Sequence, residues 1–185
     1  MGASFQIIVD TEVASDQAQT VGQLALNWLK QQKIIGDACV GCTLDKPDEG
    51  FLPGPQAMQA VDETDLDDFF KLRTNAFHVI VGRTIFFAYP GPQLVRCPNC
   101  GYDAVANNKS SWQVALNAWK NEQPSGFQCK NCYMNLSVEK WIYDPIWAFG
   151  NLGLKFWNWP PLKSEFVEEM SLLLEHEITV VRGKL

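Results

Sequence analysis

Hydrophobic residues along this chain change their spacing several times, and each spacing predicts an element. Residues 4–9, with the sequence Ser-Phe-Gln-Ile-Ile-Val, are apolar and β-branched and predict a strand. After Ser15, the predicted N-cap, apolar side chains recur at helical spacing, and Gly36 is the predicted stop. The positions on this helical face are Val21, Leu24, Ala25, Trp28 and Leu29.

The middle of the chain lacks such regularity at first. Residues 37–60 are rich in Gly, Pro and Asp and predict a long loop. Thr64 and Asp67 have capping-box spacing ahead of a short helix. Residues 77–81 and 84–88 then predict two strands joined by a tight turn at Gly82-Arg83.

The C-terminal third returns to a regular pattern. Residues 153–157 predict a strand, Ser164 is the predicted cap of a helix with buried Phe166 and Met170, and residues 177–182 predict a last strand. This order indicates an α+β fold: an antiparallel sheet with two helices on one face and an inserted Cys₄ zinc ribbon. The predicted domains are residues 1–94 with 142–185, and the ribbon at 95–141.

Composition indicates how large a hydrophobic core the chain can form and in which cellular compartment we expect it. The chain has 185 residues, 46% of them hydrophobic, which is enough for one sizeable core. No apolar run approaches the roughly 20 residues of a membrane span, and residues 1–10 lack the basic start of a secretory signal. We therefore expect a cytoplasmic protein without a membrane segment, whose six cysteines are metal ligands or free thiols rather than disulfides.

Four of these cysteines form two short pairs, Cys97-Pro-Asn-Cys100 and Cys129-Lys-Asn-Cys132, separated by 28 residues. A Cys-x-x-Cys turn directs two thiolates at one point, and two such turns complete a tetrahedron around a soft divalent ion. Gly101 permits the backbone turn that points amide N–H groups at the sulfurs. Because four cysteines leave no open coordination position, we expect one structural Zn²⁺; iron held as in rubredoxin and four unligated core cysteines are the alternatives.

A third pair, Cys39-Val40-Gly41-Cys42, allows three interpretations. It is a redox dithiol, half of an intermolecular metal site, or two incidental small residues in a loop. A thioredoxin-type pair stands at the start of a helix, which lowers the thiol pKa. Residues 43–47 do not predict a helix, so the incidental interpretation is favoured.

The formal charge of −6 is concentrated in one segment. Between residues 37 and 68 there are nine acids and one base, a net charge of −8. A solvated loop that aids solubility explains this composition, as does a recognition surface for a basic protein. The core of that predicted partner-binding surface is Asp62, Glu63, Asp65, Asp67 and Asp68.

Neither catalysis nor nucleic-acid binding has a comparable signal. No nucleophile elbow, zinc-protease helix, Walker loop or dinucleotide-binding glycine pattern is present. The two histidines, His78 and His176, have no cysteine or carboxylate at ligand spacing and are assigned structural roles. Six tryptophans around the Cys pairs would suit base stacking, but the metal-loaded ribbon is about neutral, so packing against the sheet is favoured. They are Trp112, Trp119, Trp141, Trp147, Trp157 and Trp159.

Two resemblances accompany these patterns. Residues 95–135, with both Cys-x-x-Cys pairs, resemble the zinc-ribbon superfamily. The segment from Ala148-Phe-Gly-Asn-Leu-Gly through Phe156-Trp-Asn-Trp-Pro-Pro-Leu162 to Val181-Arg-Gly-Lys-Leu185 resembles a group of uncharacterised bacterial proteins. Some of that group carry an automatic label of sugar ABC transporter ATPase, which this sequence does not support because it has no Walker motif.

Together these observations favour a non-enzymatic, zinc-stabilised module that binds another protein. Its most specific form is an immunity protein whose acidic surface neutralises a basic, nuclease-like bacterial toxin. The alternative is a nucleic-acid-associated zinc-ribbon accessory protein. A third hypothesis is a redox or metal-responsive switch that uses Cys39 and Cys42.

Overall fold

The computed structural model describes residues 3–45, 50–63 and 67–185, and it combines helices with antiparallel strands. The α+β class with an antiparallel sheet is therefore confirmed. The described strands are β1 (Ser4–Asp10), β2 (Ile35–Cys39), β3 (Gly50–Pro53), β4 (Phe77–Phe86), β5 (Leu94–Arg96), β6 (Gly126–Gln128), β7 (Asn135–Ser137), β8 (Ile142–Asp144), β9 (Ala148–Trp157) and β10 (Ile178–Lys184). The helices are α1 (Ala18–Gln31), α2 (Asp67–Lys71), α3 (Ala104–Lys120) and α4 (Ser164–Leu174), with short 3₁₀ helices at Ala57–Gln59 and Val138–Lys140.

Six strands form the main sheet in the order β10-β1-β9-β4-β3-β2, and every neighbouring pair is antiparallel. Strands β1 and β9, which lie inside the sheet, are almost wholly buried because both of their faces are covered. Leu152, Leu154 and Phe156 of β9 pack in one cluster with buried side chains of α1 and α4. On the opposite face, Trp157 packs with Phe5 in a second cluster.

The predicted hairpin at residues 77–88 is wrong, because one continuous strand, β4, occupies most of this segment. One strand runs through Gly82, which has a φ of +115°, and the pairing register with β9 shifts between Val81 and Thr84. Such a shift bends a strand without reversing it. The bend carries the Phe86 ring over Gly153, where an added Cβ would come within 2.5 Å of the ring.

Other boundaries also differ from the sequence prediction. Helix α1 begins at Ala18, with Gln17 rather than Ser15 at the N-cap position, and α4 already includes Ser164. The predicted loop at 37–60 contains β3, a 3₁₀ helix and the end of β2. Thr64, the predicted cap of α2, lies outside the described residues.

The segment between β4 and β9 forms a small subdomain, here called the Cys lobe (residues 94–144). Strands β5 and β8 pair at its base, and β6 and β7 form a second two-stranded sheet. The 17-residue helix α3 lies between the two Cys pairs, where no helix was predicted. The lobe is therefore more than a pair of hairpins, and the boundaries proposed at 94/95 and 141/142 remain predictions.

Candidate metal centre

The two Cys-x-x-Cys pairs occupy equivalent turns on different elements. Cys97 follows β5 directly, and Cys129 follows β6 at the start of the β6–β7 connection. Both of these first cysteines are buried, at 1% and 0% exposure. Cys100 is exposed and Cys132 is half-buried. The site thus has two sulfurs facing the lobe interior and two facing outward.

All four sulfurs meet at one point. The Sγ atoms of Cys97, Cys100, Cys129 and Cys132 lie within 4.8 Å of one another. Cys97 Sγ is 3.7 Å from Cys132 Sγ, and Cys100 Sγ is 3.6 Å from Cys129 Sγ. A tetrahedron with Zn–S bonds of about 2.3 Å has S···S edges of about 3.8 Å. The four residues could therefore hold a metal ion such as zinc.

The backbone of the two turns follows one hydrogen-bonding pattern. The N–H of Gly101 donates to the carbonyl of Cys97, and the N–H of Tyr133 donates to that of Cys129, both at 2.9 Å. Each first cysteine in turn donates its own N–H to a carbonyl five residues later. Gly101 and Tyr133 both have a positive φ, of +73° and +61°. The expected role of Gly101 in the turn agrees with this geometry.

Hydrogen bonds from one pair to the other favour thiolates at the outward sulfurs. The Asn99 side chain and the backbone N–H of Met134 lower the pKa of Cys132 to about 6. The Asn131 side chain and the backbone at Tyr102 lower the pKa of Cys100. Each asparagine therefore supports a cysteine of the opposite pair.

These asparagines were missed as supporting residues, although the signal was visible. An asparagine stands immediately before the second cysteine of both pairs. Burial acts in the opposite direction at the inner sulfur, since desolvation raises the pKa of Cys97 to about 11. A bound dication would offset that cost, because it stabilises the thiolate directly.

Helix α3 places the first pair against the lobe core. The side chain of Asp103 caps α3 by accepting hydrogen bonds from the N–H groups of Val105 and Ala106, at 2.9 and 3.2 Å. The helix buries Trp112 and Trp119 in a cluster that also contains Cys97. This packing links the metal-site cysteines to the aromatic core of the lobe.

Trp119 and Trp147 pack between the lobe and the sheet, as predicted, whereas Trp157 and Trp159 lie in clusters of the sheet itself. Trp119 packs edge-on against Phe149 of β9, with ring centroids 5.1 Å apart. The Arg83 guanidinium lies 3.9 Å from the Trp119 ring, and its Nε donates to the Trp119 carbonyl at 2.6 Å. Trp147 stacks on Tyr143 and Phe87. The remaining four of the six, all at most 6% exposed, are Trp112, Trp141, Trp157 and Trp159.

The third cysteine pair departs from its prediction. Cys39, the last residue of β2, and Cys42 are joined in a disulfide with Cα atoms 6.0 Å apart. The expectation that all six cysteines are metal ligands or free thiols is wrong for these two. Gly41, with a φ of +71°, turns the chain so that the two sulfurs meet. Sequence spacing alone does not reveal that turn.

The predicted partner-binding acids lie near two helices. Asp62, Glu63, Asp67 and Asp68 are exposed, and Asp65 lies outside the described residues. Asp67 and Asp68 open α2, where Asp68 forms an ion pair with Lys71 at 3.1 Å. The N–H of Asp62 donates to the carbonyl of Pro161 at 2.8 Å, which brings this acid beside the start of α4. There the exposed side chain of Glu165 extends the acidic surface.

Carboxylates also reach both histidines, from distant parts of the chain. Asp45 Oδ2 lies 3.3 Å from His78 Nε2 and 2.6 Å from Lys155 Nζ. His176 Nδ1 lies 2.8 Å from Oδ2 of the fully buried Asp10. Desolvation lowers the pKa of His78 to about 4 against the opposing effect of Asp45. These contacts could not be predicted, because the partners are far apart in sequence.

Comparison with protein-family models, with curated proteins and with solved structures finds no match. The likeness to zinc ribbons therefore depends on the cysteine spacing and on the meeting of the four sulfurs. Among the described residues, no helix combines the length and apolar character that crossing a bilayer requires.

Proposed function

We propose that this protein is a non-enzymatic binding module with one structural zinc ion. The observation that carries the proposal is the meeting of four cysteine sulfurs at tetrahedral spacing. Four thiolates complete the coordination of Zn²⁺ and leave no position for water or substrate. An ion of this kind stabilises a fold and does not catalyse a reaction.

The surroundings of the sulfurs support a structural ion. Hydrogen bonds from Asn99 and Asn131 favour the thiolates of Cys132 and Cys100, and such supporting contacts orient metal ligands. The short strands β5 to β8 have few ladder hydrogen bonds of their own. Elemental analysis of the full chain should give one zinc per molecule. Iron in its place, with charge-transfer absorption, would favour the rubredoxin-like alternative.

The architecture proposed for the rest of the chain is a sheet with α1 and α4 on one face and the Cys lobe projecting from it. Both helices contribute buried side chains to the cluster that contains Leu152 and Leu154, which supports this arrangement. It leaves the acidic residues near α2 and α4 on the outside of the sheet domain.

We further propose that the acidic surface binds a cationic protein, for which a nuclease-like bacterial toxin is the most specific case. Asp62, Glu63, Asp67 and Asp68 are exposed, as is Glu165 of α4, and the hydrogen bond from Asp62 N–H to the Pro161 carbonyl brings Asp62 beside the start of α4. Clustered negative charge accelerates association with a basic partner and competes for a site built for phosphates. The protein would then act in the cytoplasm as an immunity protein.

The experiment measures association of the full chain with a panel of basic nuclease domains. The double variant Asp67→Lys/Asp68→Lys should lower the association rate constant by about tenfold or more at low salt. The matched control is Asp16→Lys/Glu122→Lys, which changes net charge equally at exposed positions elsewhere. Its expected effect is less than about twofold. Equal losses in both variants, or no salt-sensitive complex with any domain, would overturn the toxin-binding proposal.

A further inference from the structure

The Cys39–Cys42 disulfide lies at an accessible turn. Cys39 is half-buried at the end of β2, and the neighbouring Val40 side chain is 86% exposed. Cys42 is 7% exposed, and its sulfur would be 2.9 Å from a Cβ added to Gly50 of β3. Cys39 is thus the more exposed residue of the pair, while the sulfur of Cys42 lies against β3.

Three residues beyond Cys42, the same loop carries Asp45 onto a buried cation. Asp45 Oδ2 is 2.6 Å from Lys155 Nζ, and Lys155 is only 8% exposed. The ammonium also lies over the rings of Phe5 and Trp157, at 4.6 and 4.3 Å from their centroids. Within the described residues, Asp45 is the carboxylate at ion-pair distance from this ammonium. Its removal would leave a buried charge without its counter-ion, which is costly.

Two buried polar atoms lie at this contact without a hydrogen bond. Thr43 Oγ1 and His78 Nδ1 are buried and have no hydrogen-bond partner among the described residues. Thr43 and His78 are themselves only 4% and 3% exposed. Asp45 is held in the described structure by its ion pair with Lys155, and the disulfide at Cys42 fixes the chain three residues before it.

We propose that Cys39 and Cys42 form a reversible redox site that controls whether Asp45 covers Lys155. The reductant is a cellular thiol, either a small molecule such as glutathione or a dithiol protein. This inference is independent of the proposed zinc and toxin-binding functions, because Cys39, Cys42 and Asp45 are neither the proposed metal ligands nor among the proposed partner-binding acids.

The exchange proceeds in two balanced steps. A thiolate attacks Cys39 Sγ, forms a mixed disulfide and releases Cys42 as a thiolate, which takes up a proton. A second thiolate attacks the external sulfur of the mixed disulfide, so that Cys39 leaves as a thiolate and is protonated. Two external thiols are oxidised to one disulfide, and the protein disulfide gains two electrons and two protons.

A purely stabilising role would explain this disulfide less well than a redox role. The bond closes a loop of four residues, and the stabilisation from a cross-link decreases as the loop shortens. The β2–β3 pairing already brings Cys39 opposite Gly50 and Ala38 opposite Phe51. The disulfide additionally restrains the backbone between β2 and Asp45, and reduction would remove that restraint.

The first measurement determines the oxidation state of Cys39 and Cys42 in zinc-loaded, full-length protein. The protein is equilibrated in a series of glutathione buffers of different redox potential. Thiols are trapped by alkylation, and the state of Cys39 and Cys42 is read by mass spectrometry. We expect a reversible transition within the range of the buffers. A pair that stays oxidised in the most reducing buffer would overturn the proposal.

The second measurement tests the link to Lys155 by acylation with an amine-reactive ester. Reduction should raise the acylation rate of Lys155 by about tenfold or more, as a covered group becomes accessible by local opening. The exposed Lys184 is the internal reference and should keep its rate. An unchanged Lys155 rate in the reduced protein would overturn the link.

Variants separate the tether from the ion pair. Asp45→Asn should give the fast Lys155 rate even in oxidised protein, and the matched variant Asp37→Asn, at an exposed acid of β2, should keep the slow rate. Cys39→Ser/Cys42→Ser should give the fast rate with and without thiol. If the double variant does not fold, as judged by circular dichroism, the wild-type comparison alone decides.

Discussion

The strands of the main sheet reach ten residues, whereas the strands of the Cys lobe have three residues each. In the sheet, β9 is flanked on both sides by long antiparallel partners and contributes Leu152, Leu154 and Phe156 to a cluster of 22 buried residues. The cluster at the lobe has 13 buried residues, of which Ile85 and Phe149 come from β4 and β9, and it includes the candidate metal ligands Cys97 and Cys129.

This difference indicates how each region is stabilised. Isolated two-stranded sheets are marginal in water, so β5–β8 and β6–β7 depend on packing with α3 and the aromatic side chains, and an ion held by the four cysteines would stabilise them further. The sheet has enough apolar burial to be stable without an ion. The comparison predicts that the two regions respond to different perturbations.

Loss of the metal should have the largest effect, and it should be confined to the lobe. A chelator or the Cys129→Ser variant should unfold the lobe, because metal binding to Cys₄ sites in small domains supplies about 10 kcal/mol or more of folding free energy. Hydrogen exchange should show loss of protection in α3 while β1 and β9 stay protected. Cys42→Ser is the control and should leave α3 protected. Simultaneous loss of protection in both regions would contradict a metal-specific stabilisation of the lobe.

A cavity in the sheet core should have the next largest effect. Leu154 is fully buried in β9, so Leu154→Ala should lower the free energy of unfolding by about 2 to 5 kcal/mol. Denaturant unfolding monitored by circular dichroism gives this value. Leu172→Ala, at a position 78% exposed on α4, should change it by less than about 0.5 kcal/mol. If Leu154→Ala lowers the free energy of unfolding by the same amount with and without chelator, the stability of the sheet core does not depend on the metal site.

Acidification should destabilise the sheet through His78. Its pKa is lowered to about 4 in the folded chain from 6.5, mainly by burial, with Asp45 and Lys155 beside it. Between these two values the unfolded chain binds a proton that the folded chain does not. Stability therefore falls as pH decreases from about 6.5 to about 4, by on the order of 3 kcal/mol.

Unfolding free energies measured across this pH range test the His78 contribution. In His78→Gln the part of the pH dependence due to this group should disappear, and in His176→Gln it should remain. An identical pH profile in wild type and His78→Gln would show that the pKa of His78 is not lowered by folding.

The smallest expected effect distinguishes the two Cys turns. Gly101→Ala should weaken metal binding by about fivefold, since a side chain at positive φ costs about 1 kcal/mol. Tyr133 already bears a side chain at this position of the second turn, so Tyr133→Gly should stay within about twofold of wild type. Competition with a chromophoric chelator gives both affinities. Equal effects at the two positions would show that turn geometry does not limit metal binding.

Local patterns predicted much of the fold and of the site. Apolar, β-branched runs and helical spacing placed β1, β10, α1 and α4 near their observed positions and identified the second half of β9, because these signals depend on neighbouring residues. The Cys-x-x-Cys spacing selected the four sulfurs that meet. Helix α3 was not predicted, although Val105, Trp112, Ala115 and Trp119 recur at near-helical spacing.

The predictions that were wrong concern features that depend on backbone conformation or on residues distant in sequence. Gly82 suggested a reversal, but both halves of β4 pair with β9, and this shared partner favours a bulge. Cys39 and Cys42 had no helix to activate them, yet the turn at Gly41 brings their sulfurs together. Asp45 was counted with an exposed acidic segment and instead contacts Lys155.

By itself the sequence determined the α+β class, the four sulfurs of the candidate metal centre and the acidic character of residues 37–68. These properties depend on residue type and on spacing over a few positions, so local sequence is sufficient to predict them. Only the tertiary structure decided the bend of β4, the disulfide and the contacts of Asp45 with the buried side chains of Lys155 and His78. Each of those depends on which distant residues become neighbours, because desolvation and pairing energies are set by the surroundings that folding creates.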